Sequence, residues 1–324
     1  MEKFDVVIIG AGPAGLSAAK ILAEGGKKVV IFEKKTKVGP KICAGGLTSK
    51  VFDLGIPLSL ADKKFYSVKF HCFGKTTEIK RDKILIATVD REKLGQWMAN
   101  QIERDVEIIL DSEVVKIEDD SLVLKSGQKI GFDYLIGADG SSSGVRKYLG
   151  LSTNKVAIGV QYSLPQVFND LELFLDQKLF GSGYVWIFPH QKYTLIGCAY
   201  NPSRLKTEIL KNFHQVLENE NIALGQAKLE AHLINFDYQG FMFGNKFLAG
   251  DAGGFTLDIS GEGIYSAIVS GREVARKILD PNYNCPKIKK ILALKVIQEK
   301  WGKYLMFKIF RSKFLTRLIF KRSI

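Results

Sequence analysis

The sequence predicts an α/β protein with a β-rich insertion and a basic, helical C-terminus, and three observations lead to this prediction. Residues 5–33 have the pattern of a strand, a glycine turn, an alanine-rich helix and a second strand. Strand-like runs dominate 156–238. The segment 287–324 contains twelve Lys or Arg and one acidic residue, a net charge of +11, whereas the rest of the chain has a net charge of only +2. Basicity is therefore a property of the C-terminus, which argues against a nucleic-acid-binding core.

The composition is that of an ordinary folded protein. The chain has 324 residues, 46% of them apolar and 25% charged, which is enough for one large or two average domains. Its four cysteines and four histidines show no metal-ligand or disulfide spacing, so neither kind of site is expected. No apolar run reaches the roughly 18 residues of a transmembrane helix. A strand begins near residue 5 with no signal peptide before it, so we expect a cytoplasmic protein.

The remaining elements continue the nucleotide-binding pattern and then interrupt it with strands. An apolar strand over 5–10 precedes a helix over Pro13–Glu24 and a strand over Val29–Glu33. Glycine and basic residues over 34–50 favour a loop. Further strands are predicted near 66–72, 76–80, 106–110, 113–118, 121–125, 129–137 and 247–251, and helices near 91–104, 203–219 and 261–279.

The glycine turn after the first strand fits a dinucleotide-binding fingerprint. Gly10 permits the tight turn, Gly12 lets the backbone approach a pyrophosphate, and Gly15 lets helix and strand pack closely. The helix N-terminus then faces the phosphates. Glu33 ends the second strand, where its carboxylate can accept hydrogen bonds from the adenosine ribose. We therefore predict a Rossmann-like domain at the N-terminus.

Two later segments place an aspartate at the end of an apolar strand and before glycines. Asp139-Gly140 lies in the first segment, and Gly250-Asp251 lies in the second, which runs on to Gly261-Glu262-Gly263. We expect Asp251 to bond a ribityl chain and the amides of 261–264 to face the negative edge of a flavin. The alternative is a pair of ordinary β-turn-α junctions with helix-capping aspartates.

Together these motifs resemble those of the hydroxylase-type flavoproteins, and within them the geranylgeranyl reductase family. Lys41–Leu47, Tyr184–Pro189 and Gly261–Ile264 carry the narrower resemblance, from which Ala44 departs because the family often has glycine there. Arg91 resembles an arginine near the FAD phosphates, and the alternative is an exposed arginine at a helix start. The resemblance implies FAD as cofactor. The expected cofactor-binding residues are Gly10, Gly12, Ala14, Gly15, Glu33, Lys34, Cys43, Ala44, Arg91, Asp139, Gly140, Arg146, Gly250, Asp251, Gly261, Gly263 and Ile264.

The resemblance also implies how the chain is divided. We expect an FAD-binding domain of the glutathione reductase and p-hydroxybenzoate hydroxylase type, with an inserted antiparallel β-sheet domain for the substrate and a basic helical C-terminus. The expected boundaries are 1–65, 84–155 and 240–282 for the FAD-binding domain, 66–83 and 156–239 for the substrate domain, and 283–324 for the C-terminal tail.

Three aromatic residues alternate along one predicted strand. Tyr184, Trp186 and Phe188 point to one face, where they line a slot for an apolar chain or form an ordinary core face. The resemblance adds Gly45 and Gly46 to these three as substrate-binding residues. His190 follows this strand and is expected in a surface turn.

Reduction of an isolated alkene needs a hydride from reduced flavin and a proton delivered to the neighbouring carbon. Cys43 lies in the glycine-rich loop that the superfamily brings near the flavin, so it is a proton donor or simply a thiol packed under the ring. Tyr184 and an ordered water are further candidate donors. The expected catalytic residues are Cys43, Tyr184 and Trp186.

The resemblance implies an FAD-dependent reductase that saturates geranylgeranyl double bonds of membrane lipids or related prenyl compounds. One alternative is an FAD-dependent monooxygenase of an aromatic or lipid substrate; a halogenase is disfavoured because the chain has no Trp-x-Trp-x-x-Ile motif. Another is a non-enzymatic prenyl-binding chaperone. The chain has no second glycine fingerprint, so the electron donor is expected to be transient, either NAD(P)H or a ferredoxin-like protein.

Basic residues and phenylalanines alternate over 301–324 with no acidic residue between them. Such a helix binds anionic headgroups at a membrane surface. A docked or solvated C-terminal helix and a nucleic-acid tail are the alternatives. We expect peripheral association with the inner face of the cell membrane.

Overall fold

The structure is a computed structural model that describes residues 1–72, 74–102, 106–181, 183–200 and 209–302. For residues 301 and 302 it describes the backbone only. The chain forms two compact units. Unit 1 consists of Met1–Lys41, Arg91–Lys155 and Ile234–Lys295. Unit 2 consists of Ile42–Asp90, Val156–Leu233 and the chain from Val296 onward.

The described chain contains eight α-helices and eighteen strands. The helices are α1 (Pro13–Glu24), α2 (Ser49–Phe52), α3 (Arg91–Asn100), α4 (Gly144–Tyr148), α5 (Gln177–Phe180), α6 (Ile209–Asn219), α7 (Ile264–Leu279) and α8 (Pro286–Ile297), with a π-helical turn over Gln298–Gly302 and 3₁₀ turns over Leu58–Leu60 and Gly250–Gly253. The strands are β1 (Glu2–Ile9), β2 (Val29–Phe32), β3 (Gly46–Thr48), β4 (Ala61–Phe65), β5 (Ser67–Cys72), β6 (Lys75–Lys80), β7 (Ile86–Val89), β8 (Val106–Ile109), β9 (Val114–Ile117), β10 (Ser121–Leu124), β11 (Lys129–Gly137), β12 (Val156–Leu164), β13 (Glu172–Leu175), β14 (Tyr184–Pro189), β15 (Thr194–Tyr200), β16 (Glu230–Asn235), β17 (Met242–Phe243) and β18 (Lys246–Leu248).

Unit 1 is built on a sheet whose central strands are parallel. Its main order is β17-β18-β11-β1-β2-β8, and the hairpin of β9 and β10 joins through β11. Strand β1 lies between β11 and β2 and is parallel to both. Both faces of such a strand are covered, which explains why β1 and β2 are nearly continuous runs of Val, Ile and Phe. The carboxyl end of β1 therefore delivers the glycine turn to a fixed place.

Helix α1 packs against α7 at one point of very close approach. A Cβ atom built on Gly271 would overlap the carbonyl oxygen of Ala14. Only glycine allows the two helix backbones to come this close. The contact therefore holds the N-terminal turn of α1 in place.

Unit 2 contains a large sheet and a small one. The large sheet has the order β16-β12-β15-β14-β13-β5-β6. The pairs β12-β15, β15-β14, β14-β13 and β5-β6 are antiparallel, and β13-β5 is parallel. One face is covered by α6, whose Phe213 and Leu217 pack with Val185 and Ile187. The small sheet has the order β3-β7-β4. Alternate residues of β14 face opposite sides of the large sheet, so its aromatic residues lie away from α6.

The predicted fold class is confirmed, and the differences are local. The helix predicted over 91–104 ends at Asn100, and the helix predicted from 261 begins at Ile264. The predicted loop over 34–50 contains β3, because Gly46–Thr48 pairs with β7. The structure also places 42–65 and 84–90 in unit 2, whereas the sequence-based division puts them in the nucleotide-binding domain.

The C-terminal prediction is covered only in part. The last described element is the π-helical turn over Gln298–Gly302, and residues 303–324 of the predicted basic tail lie outside the described residues. Residues 203–208 of the predicted helix near 203–219 also lie outside them. Within the described ranges, no helix is both long and apolar enough to cross a bilayer.

Candidate functional site

The three fingerprint glycines of unit 1 have three different environments. Gly10 has a φ of +103°, and a Cβ there would overlap the carbonyl oxygen of Ala138. A Cβ on Gly15 would overlap the carbonyl oxygen of Gly10, so α1 and the turn pack without space for a side chain. Gly12 is the N-cap of α1, and a Cβ there would meet no atom within 4 Å. The space in front of α1 is therefore open.

The electrostatics of this helix start suit an anion. No side chain caps Gly12, and the first turn of α1 contains no acidic residue. The free amides and the helix dipole consequently favour a negatively charged ligand. The methyl group of Ala14 packs inside unit 1 and does not point toward a ligand. Ala14 is buried, and its Cβ lies 3.1 Å from the position that a Cβ on Gly250 would have. Only the backbone of Ala14 remains for the predicted cofactor contact.

Glu33 connects the glycine turn to the end of β2. Its Oε2 accepts a hydrogen bond of 2.8 Å from the Ala11 amide, and its Oε1 accepts one of 3.0 Å from the Lys35 amide. Lys34, between them, is exposed. The carboxylate thus orders the turn itself, a role that the sequence analysis missed, while its contact with ribose stays a prediction.

Asp139 lies where β11 ends and α4 is about to begin. Its Oδ2 accepts hydrogen bonds from the amides of Gly144, at 2.7 Å, and Val145, at 3.3 Å. Its Oδ1 is buried and has no hydrogen-bond partner among the described residues. Burial raises the pKa of this carboxyl group above its ordinary value. A buried acceptor without a partner suits a ligand that donates a hydrogen bond, and Gly140 beside it leaves open space.

Arg91 begins α3, and its buried Nε has no hydrogen-bond partner within the part of the chain that the structure describes. The helix start is pressed against a turn, because a Cβ on Gly95 would overlap the Cα of Gly39. An unpaired N–H of a guanidinium is well suited to a phosphate oxygen. The position therefore agrees with the expected phosphate contact.

Arg146 requires a correction. It was predicted to bind the cofactor, but its side chain is only 1% exposed. Its Nε and Nη2 donate to the carbonyl oxygen of Ser152, at 2.9 and 2.7 Å, and its Nη1 donates to that of Ala252, at 3.3 Å. Asp237 lies 3.7 Å from Nη2. The guanidinium joins segments of unit 1, so its role is structural.

Asp251 is held by a network that the sequence analysis missed. Its Oδ2 forms an ion pair of 2.8 Å with Lys41, and its Oδ1 accepts a hydrogen bond of 2.7 Å from Thr256. Ser141 donates to Oδ2 at 3.4 Å. The preceding residue, Gly250, donates its amide to Ser270 at 2.9 Å. Asp251 is therefore oriented by two hydroxyl groups and a cation before any ligand is considered.

The start of α7 offers a second set of amides beside Asp251. Gly263 is the N-cap and has no side-chain cap, and the first turn of α7 contains no acidic residue. A Cβ on Gly263 would lie 3.7 Å from Oδ1 of Asp251. Ile264, the first helical residue, is 8% exposed, and Gly261 lies in the loop before it. This helix start, like that of α1, favours a partial negative charge.

The residues of unit 1 fit FAD. The open helix start at Gly12 and the unpaired Nε of Arg91 suit its two phosphates. The unpaired Oδ1 of Asp139 suits a hydroxyl donor, and the α7 amides suit the electron-rich edge of the flavin.

The aromatic residues of β14 form an apolar face in unit 2. Tyr184 and Trp186 meet edge to face, with ring centroids 6.2 Å apart, and Trp186 and Phe188 are each 9% exposed. The cluster around them includes Phe65, Val68, Leu171 and the partly buried Ala44. Nε1 of Trp186 is buried without a hydrogen-bond partner. Burial raises the pKa of Tyr184 to about 12.

The Cys43–Gly46 loop packs against this face. A Cβ on Gly46 would overlap the ring of Phe188, and a Cβ on Gly45 would overlap the carbonyl oxygen of Val89. The Gly45 amide donates to Sγ of Cys43 at 3.4 Å. Cys43 is partly exposed, whereas the other three cysteines are buried. The structure thus brings the predicted substrate residues together in one unit, while their contact with substrate stays a prediction.

His190 also requires a correction, because it was expected in a surface turn and is only 1% exposed. Its Nδ1 lies 2.9 Å from Oδ2 of Asp62, and its Nε2 lies 3.1 Å from the carbonyl oxygen of Ala44. Its ring stacks on Tyr193 with a centroid distance of 4.5 Å. No local pattern marks Asp62, which is 128 residues away in the sequence.

Comparison with known proteins agrees with this geometry. The model of the FAD binding domain family matches residues 3–233. The chain is 27% identical over 339 residues to the chloroplastic geranylgeranyl diphosphate reductase of Arabidopsis thaliana, covering 93% of this chain and 71% of that protein. It is 26% identical over 361 residues to digeranylgeranylglycerophospholipid reductase 2 of Methanopyrus kandleri, covering 98% and 87% of the two chains.

A solved structure gives the same result for the fold. The geranylgeranyl bacteriochlorophyll reductase-like protein of Thermoplasma acidophilum superposes with a TM-score of 0.78 at 19% identity, covering 95% of this chain and 86% of that one. The expected resemblance to geranylgeranyl reductases is thereby confirmed. The chain belongs to the FAD binding domain family and is an FAD-dependent oxidoreductase.

Proposed function

We propose that this protein is an FAD-dependent reductase that saturates isoprenoid (geranylgeranyl) double bonds of membrane lipids or related prenyl compounds. The observation that carries the proposal is the apolar face of Tyr184, Trp186 and Phe188, with the Cys43–Gly46 loop packed against it. A face of large rings without a metal or nucleophilic cluster suits a flexible hydrocarbon chain better than a polar metabolite. The names of the two relatives, which act on geranylgeranyl compounds, support the same substrate class.

Unit 1 holds the cofactor in this proposal. The amides before α1 and the Nε of Arg91 bind the two phosphates, and Glu33 accepts hydrogen bonds from the ribose. Asp251, kept in place by Lys41 and Thr256, accepts from the ribityl chain. When bound in its reduced form, FAD supplies the hydride.

The second hydrogen is a proton, and unit 2 supplies it in this proposal. The Tyr184 hydroxyl keeps its proton throughout the neutral range, because burial raises its pKa to about 12. Such a weak acid is a poor general acid near pH 7. Cys43 lies on the neighbouring loop and is partly exposed, so we assign the proton to its Sγ. Trp186 and Phe188 keep the reacting bond in apolar surroundings, which exclude water.

The reductant and the physical form of the substrate belong to the same proposal. A transient donor, NAD(P)H or a ferredoxin-like protein, reduces the cofactor, since the sequence contains one glycine fingerprint only. The substrate is the prenyl chain of a membrane lipid or of a diphosphate, and the two relatives named above represent these two classes. Peripheral binding to an anionic membrane through 301–324 gives access to the lipid form.

The membrane contact is tested by truncation. Seven Lys or Arg and no acidic residue lie in 301–324. Ending the chain at Lys300 is expected to reduce cosedimentation with vesicles that contain phosphatidylglycerol, and added salt is expected to reduce binding of the full chain in the same way. Neutral phosphatidylcholine vesicles are the control. Equal binding of the two proteins to anionic vesicles would remove the tail from the proposal.

The proposed reaction is tested under anaerobic conditions. The flavin of the purified protein is reduced with dithionite, excess reductant is removed, and either digeranylgeranylglycerophospholipid or geranylgeranyl diphosphate is added. The absorbance of oxidised flavin is followed, and the lipid is analysed by mass spectrometry. The expected result is reoxidation together with a gain of two hydrogen atoms per saturated bond.

Two outcomes would contradict the proposal. Flavin that remains reduced with both prenyl compounds would exclude this reaction. Reoxidation that requires air and is accelerated by an aromatic or lipid substrate would instead indicate the monooxygenase. Comparing the phospholipid with the diphosphate distinguishes the two substrate classes.

A further inference from the structure

His190 and Asp62 form a buried pair behind the Cys43–Gly46 loop. The side chains are 1% and 4% exposed, and Nδ1 lies 2.9 Å from Oδ2. Nε2 of the same ring lies 3.1 Å from the carbonyl oxygen of Ala44. A Cβ on Gly45 would lie 2.9 Å from Cε1 of the imidazole, so the loop backbone rests directly on the ring. All these residues belong to unit 2.

The hydrogen bonds of this pair require one proton more than a neutral imidazole and a carboxylate carry. A carbonyl oxygen only accepts, so Nε2 must donate to Ala44. A neutral ring with its hydrogen on Nε2 has a bare Nδ1, which cannot donate to the carboxylate of Asp62. An additional proton must therefore lie between Nδ1 and Oδ2. The pair shares this proton between two atoms that are 2.9 Å apart.

Aromatic and ionisable side chains surround the pair of His190 and Asp62. The imidazole stacks on Tyr193, whose hydroxyl donates to Asp90 at 3.3 Å. Burial, together with the charges of Asp90 and Asp62, raises the pKa of Tyr193 well above its ordinary value. Cys43 is the titratable group of the loop in front. Asp62, Asp90, Tyr193 and Cys43 are the ionisable side chains that these contacts place around the imidazole and the loop.

We propose that His190 and Asp62 are positioning residues that hold the Cys43–Gly46 loop by means of a shared proton. The pair fixes the carbonyl group of Ala44. It thereby also fixes the position of the preceding residue, Cys43. Removal of the Asp62 carboxyl group takes away the partner of Nδ1, so the ring is free to turn and its bond to Ala44 is lost. The consequence for catalysis, which rests on the proposed function, is that Cys43 is correctly placed only while both contacts of His190 are made.

The chain allows a variant that separates the hydrogen bonds from the charge. In Asp62→Asn the carboxamide donates to Nδ1, and the neutral ring still donates from Nε2 to Ala44. The loop is then held without a titratable proton. In Asp62→Ala the partner of Nδ1 is removed, and in His190→Phe the bond to Ala44 is removed while a planar ring remains.

Alkylation of Cys43 measures the loop without any prenyl substrate. The other three cysteines, Cys72, Cys198 and Cys285, are 5%, 0% and 4% exposed, so N-ethylmaleimide reports on Cys43, and Cys43→Ser is the control. Rates are measured on the FAD-loaded protein and compared with the wild type at each pH, which cancels the titration of the thiol. Asp62→Ala and His190→Phe are expected to react roughly tenfold faster at neutral pH, and Asp62→Asn at the wild-type rate.

Nitrogen NMR of protein labelled in its histidines tests the proton directly. The His190 signals are assigned from their loss in His190→Phe. Both ring nitrogens are expected to carry hydrogen in the wild type at neutral pH, and only Nε2 in Asp62→Asn. A bare Nδ1 in the wild type, or unchanged alkylation in both Asp62→Ala and His190→Phe, would overturn the proposal. Asp62→Asn keeps the test valid if the other variants do not fold, and none of these results depends on the reductase reaction.

Discussion

The glycine turn of unit 1 and the Cys43–Gly46 loop of unit 2 are both short glycine-containing segments, but they are held differently. The turn is organised by its own neighbours: Glu33, which bonds Ala11, is 22 residues away. The loop is organised by His190, which bonds Ala44 from 146 residues away, and by a ring of β14. The comparison teaches that a motif is readable from sequence when its partners lie in the same βαβ unit. A loop held by distant side chains has no such local signature.

The largest expected effect concerns two glycines of the same turn. In Gly15→Ala the new methyl group overlaps the carbonyl oxygen of Gly10, so we expect a loss of about 3 kcal/mol in the free energy of unfolding and no retained FAD. In Gly12→Ala the methyl group meets open space, so stability is expected to change by less than about 0.5 kcal/mol. FAD affinity is nevertheless expected to fall roughly a hundredfold, because the backbone can no longer approach the pyrophosphate.

Denaturant unfolding of the FAD-free proteins and titration with FAD measure these two quantities. The pair separates a packing requirement from a ligand requirement within one motif. Equal stability of Gly15→Ala and the wild type would contradict the packing role. FAD affinity that is unchanged in Gly12→Ala would remove the turn from the cofactor site.

The next effect concerns the loop of unit 2. Cys43→Ala is expected to slow anaerobic flavin reoxidation by prenyl substrate about a hundredfold, the usual magnitude for a lost general acid. Tyr184→Phe is the matched control, because it removes only a hydroxyl whose pKa is about 12, and we expect less than a tenfold change. Since a group with that pKa stays protonated up to alkaline pH, no loss of rate between pH 6 and 10 should arise from Tyr184. If Tyr184→Phe slowed the reaction more than Cys43→Ala, the proton donor would be Tyr184 and not Cys43.

Glu33 gives a smaller effect that compares local order with ligand binding. Glu33→Ala loses two hydrogen bonds to backbone amides as well as the predicted ribose contact. We expect FAD affinity to fall about tenfold and the FAD-free protein to lose about 1 kcal/mol of stability. Isothermal titration and thermal unfolding measure the two changes. Unchanged flavin occupancy would refute the ribose assignment, and unchanged stability would refute the ordering of the turn.

The smallest effect is expected at Lys41, whose ion pair with Asp251 is partly exposed and therefore weak. Lys41→Met should reduce FAD affinity about threefold, because Thr256 and Ser141 still orient Asp251. Fluorescence titration of released flavin detects such a change. A loss similar to that of Glu33→Ala would show that the cation acts on the cofactor itself.

The sequence by itself determined the βαβ start and the main elements of unit 1, because these depend on hydrophobic periodicity and on glycines spaced along one continuous segment. The resemblance of its motifs to those of flavoproteins implied FAD. It also determined that Tyr184, Trp186 and Phe188 share one face, since side chains alternate along a strand. These features need no information from elsewhere in the chain.

Only the tertiary structure decided the roles of the buried polar groups. Arg146 was predicted as a cofactor ligand, but its guanidinium donates to the carbonyl oxygens of Ser152 and Ala252. His190 was predicted in a surface turn, but it is buried against Asp62. The assignment of 42–65 to unit 2 likewise depends on contacts between segments that are distant in the sequence. The physical reason is the same in each case: a charged or hydrogen-bonding side chain takes the partner that folding brings within about 3 Å, and that partner's position in the sequence is arbitrary.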